Sequence, residues 1–273
     1  MVKHVRDKYN VDFIGFFDEN LMTMDKYSGR TWLKEICRLW HEYDLAPVDR
    51  FNEKGELTGW TGVHWGGTSH ATLCTQEILK IMHKAGCSHL VYGYESFSPH
   101  VMKTIGKGAS PETNVRSFFW TLDAGIRPIP NQILGFPNED FQSLRENMAA
   151  WKRLGIVVKP HFATPYPGSE WFTINRKAIC DQYGGSLEAF LLDLGDASKI
   201  TATICKNFTT AELIGLREFM MQFNYRLIDE YEKIWRRMHN IPDGEPSTLV
   251  RKAPKARGNV PIREPASSLQ PVA

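Results

Sequence analysis

The chain has 273 residues, of which 42% are hydrophobic and 23% charged, and its formal net charge is +2. This is ordinary globular composition, with room for one sizeable core or two small ones, and the near balance of charge gives no field for a polyanion, so nucleic acid is not indicated. No apolar run approaches the roughly eighteen residues of a membrane span, and no basic-then-apolar leader opens the chain, so a cytoplasmic protein without a spanning segment is expected.

The elements follow in order. "VDFIGFFDEN" (Val11 to Asn20) reads as a strand that ends on Asp18, Glu19 and Asn20. Ser28 can cap a helix whose apolar positions, Trp32, Leu33, Ile36, Leu39, Trp40 and Tyr43, recur at helical spacing. "GELTGWTGVHW" (Gly55 to Trp65) reads as one strand after a turn. Thr75 can cap the next helix, which turns Ile78, Leu79 and Met82 inward and stops at Gly86. "SHLVYGYES" is a strand. Ser110, Pro111 and Glu112 open a helix that Gly125 ends. "IRPIPNQILGF" is a strand entering a Gly-Phe-Pro turn, and "NEDFQSLRENMAAWKRLG" is a helix with Phe141, Leu144, Met148 and Trp151 on one face. "IVVKPHFATPYPGS" is a last strand running into a Pro-Gly loop. Thr209 and Glu212 form a capping box for a single long helix reaching to about Met238. Residues 241–273 are rich in Pro, Ser and basic side chains and read as a disordered tail.

Strand and helix alternate five times, which implies a parallel sheet in an α/β architecture, and ligands of such sheets sit beyond the carboxyl ends of the strands. The residues placed there are Asp18, Glu19 and Asn20; His64 and Trp65; Glu95 and Ser96; Gln132, Gly135 and Pro137; and His161, Thr164, Pro165 and Tyr166. Glu95 at a strand end suits an ammonium or ribose hydroxyls, and a helix starting just after it suits a carboxylate. A zwitterion satisfies both. The alternative, an ion pair between Glu95 and Lys103 or Lys107, stands equally. Gly135 can let backbone approach a planar ligand, although a plain turn explains it as well. The Thr164–Gly168 loop can read an adenine edge through its backbone groups, or can be an ordinary surface turn. His64, His70 and His161 can join Asp18 around a metal, but at no recognised ligand spacing.

Five cysteines are present: Cys37, Cys74, Cys87, Cys180 and Cys205. None forms a close-spaced clip, so no local zinc or iron–sulfur motif is present, and the odd number suits reduced thiols rather than a disulfide frame.

Taken together, "FIGFFDENLMT", "AGCSHLVYGYESFSPHVMKTIGKGASPE", "AGIRPIPNQILGFPNED", "ATPYPGSEWF" and "KNFTTAEL" resemble the radical S-adenosylmethionine (radical SAM) superfamily. The resemblance is to members with a cobalamin-binding domain ahead of the radical domain, and it spans about residues 1–235. It implies a partial (β/α)6 TIM-like barrel lacking its first strand over residues 1–200, a C-terminal helical extension over 201–240 and the tail over 241–273. It implies reductive cleavage of SAM by a 4Fe-4S cluster, with hydrogen abstraction from a small-molecule substrate, an electron donor as partner, and methyl transfer or cyclisation as the outcome. Cobalamin is a further cofactor of the full-length protein on this resemblance. By motif position, Glu95 and Ser96 contact SAM, Lys107 meets its carboxylate, and Gln132 and Gly135 flank its ribose or methionine part. Thr164, Pro165 and Tyr166 lie near adenine, and Asp18, Glu19 and Asn20 lie near the SAM amino group or substrate. The chain departs from the family at the CxxxCxxC cluster loop, a spacing that none of its cysteines has. The resemblance therefore implies a fragment inactive alone, holding the SAM and substrate half of the site. The other readings are a non-catalytic binding module derived from such a barrel, and a metal-dependent hydrolase using Asp18, His64 and His161.

Overall fold

The computed structural model describes residues 1–18, 20–242 and 244–248. Glu19 and the basic tail beyond 248 lie outside the described residues. In chain order the elements are α1 (Val2–Tyr9), β1 (Phe13–Phe16), α2 (Leu21–Tyr27), α3 (Trp32–Glu42), β2 (Val48–Phe51), β3 (Leu57–Thr61), β4 (His64–Ser69), α4 (Gln76–Lys84) and β5 (Cys87–Glu95). Then come α5 (Pro99–Ile105), α6 (Pro111–Asp123), β6 (Arg127–Leu134), α7 (Phe141–Leu154), β7 (His161–Phe162), α8 (Glu170–Gln182), α9 (Leu187–Asp193), α10 (Thr210–Met221) and α11 (Tyr225–Met238).

Five strands form one parallel sheet in the order β1-β4-β5-β6-β7. Strand order follows chain order, with helices between successive strands, which is the progression of a partial TIM-like barrel. The expected α/β class is therefore observed. β1 is an edge strand that pairs only with β4 among the described residues, and Phe13 and Phe17 near it are exposed.

Period-two alternation orients the central strand. Leu90, Tyr92 and Tyr94 of β5 are buried, with Tyr92 and Tyr94 stacked 5.2 Å apart and bonded through their hydroxyls to Thr121 and Ser117 of α6. Val91, Gly93 and Glu95 consequently point to the opposite face. The largest buried side chains include Trp65, Trp151, Phe141 and Trp235, which join sheet, α7 and α11 in one core. Leu213, Leu216 and Met220 of α10 belong to the same cluster, so the C-terminal helices close over the sheet unit rather than stand apart from it.

Several boundaries depart from expectation for identifiable reasons. Thr31 rather than Ser28 is the N-cap of α3, but the Ser28 hydroxyl still accepts the Trp32 amide at 3.1 Å. The single strand expected at 55–65 is two. β3 pairs antiparallel with β2 in a separate hairpin, and Gly62, at φ +83°, turns the chain before β4 begins. The long helix expected after Thr209 breaks after Met221: Phe223 adopts φ +51° with its ring edge-on to Trp151, and Asn224 caps α11 by accepting the Leu227 amide. The last expected strand shrinks to His161–Phe162. Thr75, Ser110 and Thr209 cap α4, α6 and α10 as their sequences predict.

Candidate functional site

The carboxyl ends of β4, β5 and β6 bring together the best-formed polar cluster among the expected site residues. Its centre is Glu95. The side chain shares a face with Gly93 by strand alternation, and its backbone is left-handed at φ +62°, which ends the regular strand. A non-glycine residue in that region costs energy that surrounding contacts must hold in place. The contact is Lys107. Its ammonium donates to the Gly93 carbonyl at 2.6 Å and is hydrogen-bonded to the Glu95 carboxylate. Gly93 makes room for both: a Cβ there would lie 2.6 Å from Glu95 Oε1 and 2.7 Å from Lys107 Nζ. Both charged side chains are largely but not wholly buried, so one face of the pair remains open to solvent. Partial burial makes such a charge-assisted pair stronger than a surface one.

His70 stands beside this pair. It follows Ser69, which registers with Tyr92, so it lies level with Gly93. Its Nδ1 accepts the Thr72 amide at 3.3 Å. Burial, and then the charge of Lys107, lower its pKa from the usual imidazole value.

Ser96 and Gln132 do not face this opening. Ser96 lies on the buried side, with Tyr92 and Tyr94, where its hydroxyl donates to Asn147 Oδ1 at 3.3 Å and accepts the Ser98 amide at 3.0 Å. Gln132 registers with Glu95 but is buried, donating to the same Asn147 oxygen at 3.4 Å and accepting from the Trp151 indole. Asn147 Oδ1 also accepts the Phe97 amide at 2.6 Å. These residues fix the end of β5 against α7 from behind.

Gly135 begins the turn after β6 at φ +94°, where Leu213 Cδ1 lies 3.0 Å from the position a Cβ would take. Its amide donates to Glu139 Oε2 at 3.2 Å, and the Ser143 hydroxyl reaches Glu139 Oε1 at 2.5 Å. Glu139 is wholly buried, and burial pushes its pKa up to about 7. Sequence reasoning missed this residue. The signal was available: an acid directly ahead of the Asp140 N-cap, facing back into the Gly-Phe-Pro turn.

The remaining expected residues are spread along the rim. Asp18 is exposed at the β1 edge, with its carbonyl accepting the Thr68 hydroxyl, and Asn20 caps α2 by accepting the Met22 amide at 3.2 Å. On the far edge Thr164 donates to the Phe162 carbonyl at 3.1 Å, Pro165 is buried, and the exposed Tyr166 donates to the Gly195 carbonyl at 3.1 Å. Pro137 accepts the Lys206 amide at 3.1 Å.

His64 and Trp65 correct the expected rim. They open β4 instead of closing it, paired with Phe13 and Ile14 at the amino end of β1. At about 3.3 Å per residue, His64 lies about 16 Å along the strand direction from the level of Asp18. His161 is on β7, four strand spacings of about 4.8 Å from β1. The metal set Asp18, His64 and His161 does not assemble, and no group of three or more His, Cys, Asp or Glu side chains among the described residues is arranged to hold a metal ion. Cys37, Cys74 and Cys87 are buried, and burial raises the pKa of each thiol. Cys205 is likewise pushed up to about 12. These thiols do not fit a cluster-binding triad.

Among the described residues no helix is long and apolar enough to cross a membrane. No family model matches the chain. An uncharacterized methyltransferase of Pyrococcus horikoshii is 29% identical over 195 residues, covering 60% of this chain and 42% of the relative. The chain thus spans less than half the length of the curated relative it matches. Among solved structures, the radical SAM methyltransferase TsrM from Kitasatospora setae, with tryptophan substrate and a SAM analog bound, is 16% identical with a TM-score of 0.47 over 67% of this chain and 32% of its own. The cobalamin-dependent SAM radical enzyme OxsB, with aqua-cobalamin and SAM bound, is 14% identical with a TM-score of 0.44 over 90% of this chain and 32% of its own. The chain is thus similar in sequence to part of an uncharacterized methyltransferase.

Proposed function

We propose that this chain is the SAM-binding and substrate half of a radical SAM enzyme, with methyl transfer as its reaction class. The observation that carries the reading is the Glu95–Lys107 pair over Gly93 at the carboxyl end of the central strand. A carboxylate and an ammonium held side by side with one open face suit the amino and carboxylate groups of an amino-acid ligand, which exchange with the internal pair. Glu95 would take the ligand ammonium and Lys107 its carboxylate. The Gly135 turn and the Thr164–Tyr166 segment would flank the nucleoside, and Asp18, Glu19 and Asn20 would line the substrate side. Ser96 and Gln132 would act from behind, by holding Asn147 and the end of β5. SAM supplies a sulfonium whose cleavage provides the methyl group or the radical. This chain's own residues bind and orient it and shield it from water.

The reading draws support from the methyltransferase relative and from the order of motifs along the chain. The cysteines do not fit the cluster, so no radical step is assigned to them. That same misfit favours a second reading, a non-catalytic module that keeps the ligand rim. Both readings require SAM binding at Glu95 and Lys107. Turnover by the full-length protein containing these residues separates them. Titration calorimetry of the folded chain with SAM tests the shared premise. Losing one charge-assisted contact costs about 1.5–3 kcal/mol, or roughly 10–100-fold in affinity. Glu95→Gln and Lys107→Met are each expected to lose that much. A well-folded chain with no SAM affinity, or variants that bind unchanged, would remove the assignment.

A further inference from the structure

We infer that the cleft between the β2–β3 hairpin and the junction of α1 with β1 is a second ligand site, and that it takes a nucleoside monophosphate: Arg50 and Arg6 meet the phosphate, Asp12 the ribose hydroxyls and Trp60 the base. The inference stands apart from the proposed role of the Glu95–Lys107 pair. Asp12 directly precedes β1 and Gly62 closely precedes β4, so the cleft lies at the amino ends of these strands, the opposite end of the sheet from that pair. Its volume is about 540 Å³, within the roughly 300–1,000 Å³ of small-molecule sites.

The hairpin is placed by its base. Gly62 lies against the carbonyls of Leu45 and Ala46, where a Cβ would come within 2.6 Å of both oxygens. Beside this base the Trp60 indole meets the His64 ring at 5.1 Å and 75°, and His64 is itself fixed by Nδ1 donating to the Gly86 carbonyl at 3.2 Å. The indole is held without being covered, since Trp60 stays 44% exposed. Arg50 pairs across the hairpin with Gly59, so no side chain shields it from the neighbouring strand. The space there is open: a Cβ on Gly59 would meet nothing within 4 Å.

The charges complete the case. Arg6 is a guanidinium already oriented, its Nη1 donating to the Asp44 carbonyl and its Nε to Asp7 Oδ1, each at 2.7 Å. Among the described residues the Arg50 guanidinium and the Asp12 carboxylate make no hydrogen bond or ion pair. Guanidinium forks match phosphate oxygens, and a phosphate monoester carries close to two negative charges for the two arginines. A carboxylate only accepts, so Asp12 calls for hydroxyl donors on the same ligand. The exposed indole calls for a planar ring. Phosphate, neighbouring hydroxyls and a planar base on one molecule describe a nucleoside monophosphate. An amino acid fits less well, because its ammonium would share the cleft with two guanidiniums.

Titration calorimetry of the full chain with AMP tests this. AMP is expected to bind at least tenfold more tightly than adenosine or inorganic phosphate. Arg50→Met should weaken AMP at least tenfold. AMP should bind several-fold more tightly than its 2′-deoxy form, and Asp12→Asn should erase that preference. Part of the tryptophan emission should be quenched by AMP in the parent and not in Trp60→Phe. Arg50 and Asp12 are exposed, so unchanged thermal midpoints in their variants are the control for folding. Glu95→Gln and saturating SAM should leave AMP affinity unmoved. A chain that binds no AMP, or binds it equally as Arg50→Met, overturns the inference. Displacement of AMP by SAM would put the nucleotide at the Glu95 rim and overturn it too. Inorganic phosphate binding as tightly as AMP would reduce the cleft to an anion patch and remove the nucleoside.

Discussion

Glu139 offers the sharpest energetic test of this fold. Its carboxyl is wholly buried, receives the Gly135 amide and the Ser143 hydroxyl, and has its pKa pushed up to about 7 by burial, against an ordinary value of 4.5. The folded chain thus holds this proton more tightly than the unfolded chain does. Between pH 4.5 and 7 the folded state carries the extra proton, so stability is greatest below that window and falls as pH rises through it. At about 1.4 kcal/mol per unit, the loss is on the order of 3 kcal/mol. Ser143 makes the protonated state comfortable. Its hydroxyl lies 2.7 Å from the Asp140 carbonyl as well, so it can donate there and accept from a Glu139 O–H. Glu139→Gln mimics that state, because the amide NH₂ replaces the O–H donor. Urea unfolding of parent and variant should give stabilities within about 1 kcal/mol of each other at pH 5, with the variant the more stable by about 3 kcal/mol at pH 8. Taking the difference between the two proteins cancels every other titrating group. A difference that does not change between pH 5 and 8, or a variant less stable at pH 8, would refute the reasoning.

Asn147→Ala should cost about 3 kcal/mol or more, because one oxygen serves the Phe97 amide, Ser96 and Gln132, and each buried donor left alone costs about 1–3 kcal/mol; a loss under 1 kcal/mol in urea unfolding would count against the network. Gly93→Ala should leave the thermal midpoint within a few degrees but displace the ends of Glu95 and Lys107, so SAM affinity should drop at least tenfold, and unchanged calorimetry would contradict the close packing seen there. Phe17→Lys should reduce self-association in light scattering, since the β1 edge, beside exposed phenylalanines, has no second strand partner among the described residues; equal scattering by parent and variant would show that the edge is already protected.

What the sequence made legible was whatever local chemistry decides. Thr75, Ser110 and Thr209 are caps because their hydroxyls reach an amide three residues ahead, and no tertiary contact is needed to predict that. Alternation in "LVYGYE" likewise separates Tyr92 and Tyr94 from Gly93 and Glu95. Expectation failed where a single backbone angle redirects the chain. Gly62 at φ +83° moves His64 from the end of one strand to the start of another. Phe223 at φ +51° divides a helix that carries no Gly or Pro at the break, although Asn224 was a readable cap for its second half. Ser96 keeps the inward parity of Tyr92 and Tyr94, so alternation itself places it in the core. Gln132 is buried for a different reason: its polar end is satisfied by Trp151 and Asn147, partners that only the assembled sheet and α7 supply.

This pattern bears on how the rim is divided between chemistry and support. Glu95 and Lys107 are twelve residues apart and meet through one strand end and one helix, so this ion pair forms from a short piece of chain. Its support is long-range: Asn147 comes from α7, and Gly135 is backed by Leu213 of α10. The thiols have no comparable arrangement. Cys37, Cys74 and Cys87 belong to the core, where burial raises their pKa values and disfavours the thiolate a cluster needs. Among the described residues no three of the cysteines come together as a ligand set. The β1 edge, with one side unpaired among the described residues, is where this sheet can accept another strand. Hydrogen exchange gives the test: if the outward amides of Ile14–Phe16 exchange as slowly as those of β5, that edge is already occupied and cannot serve.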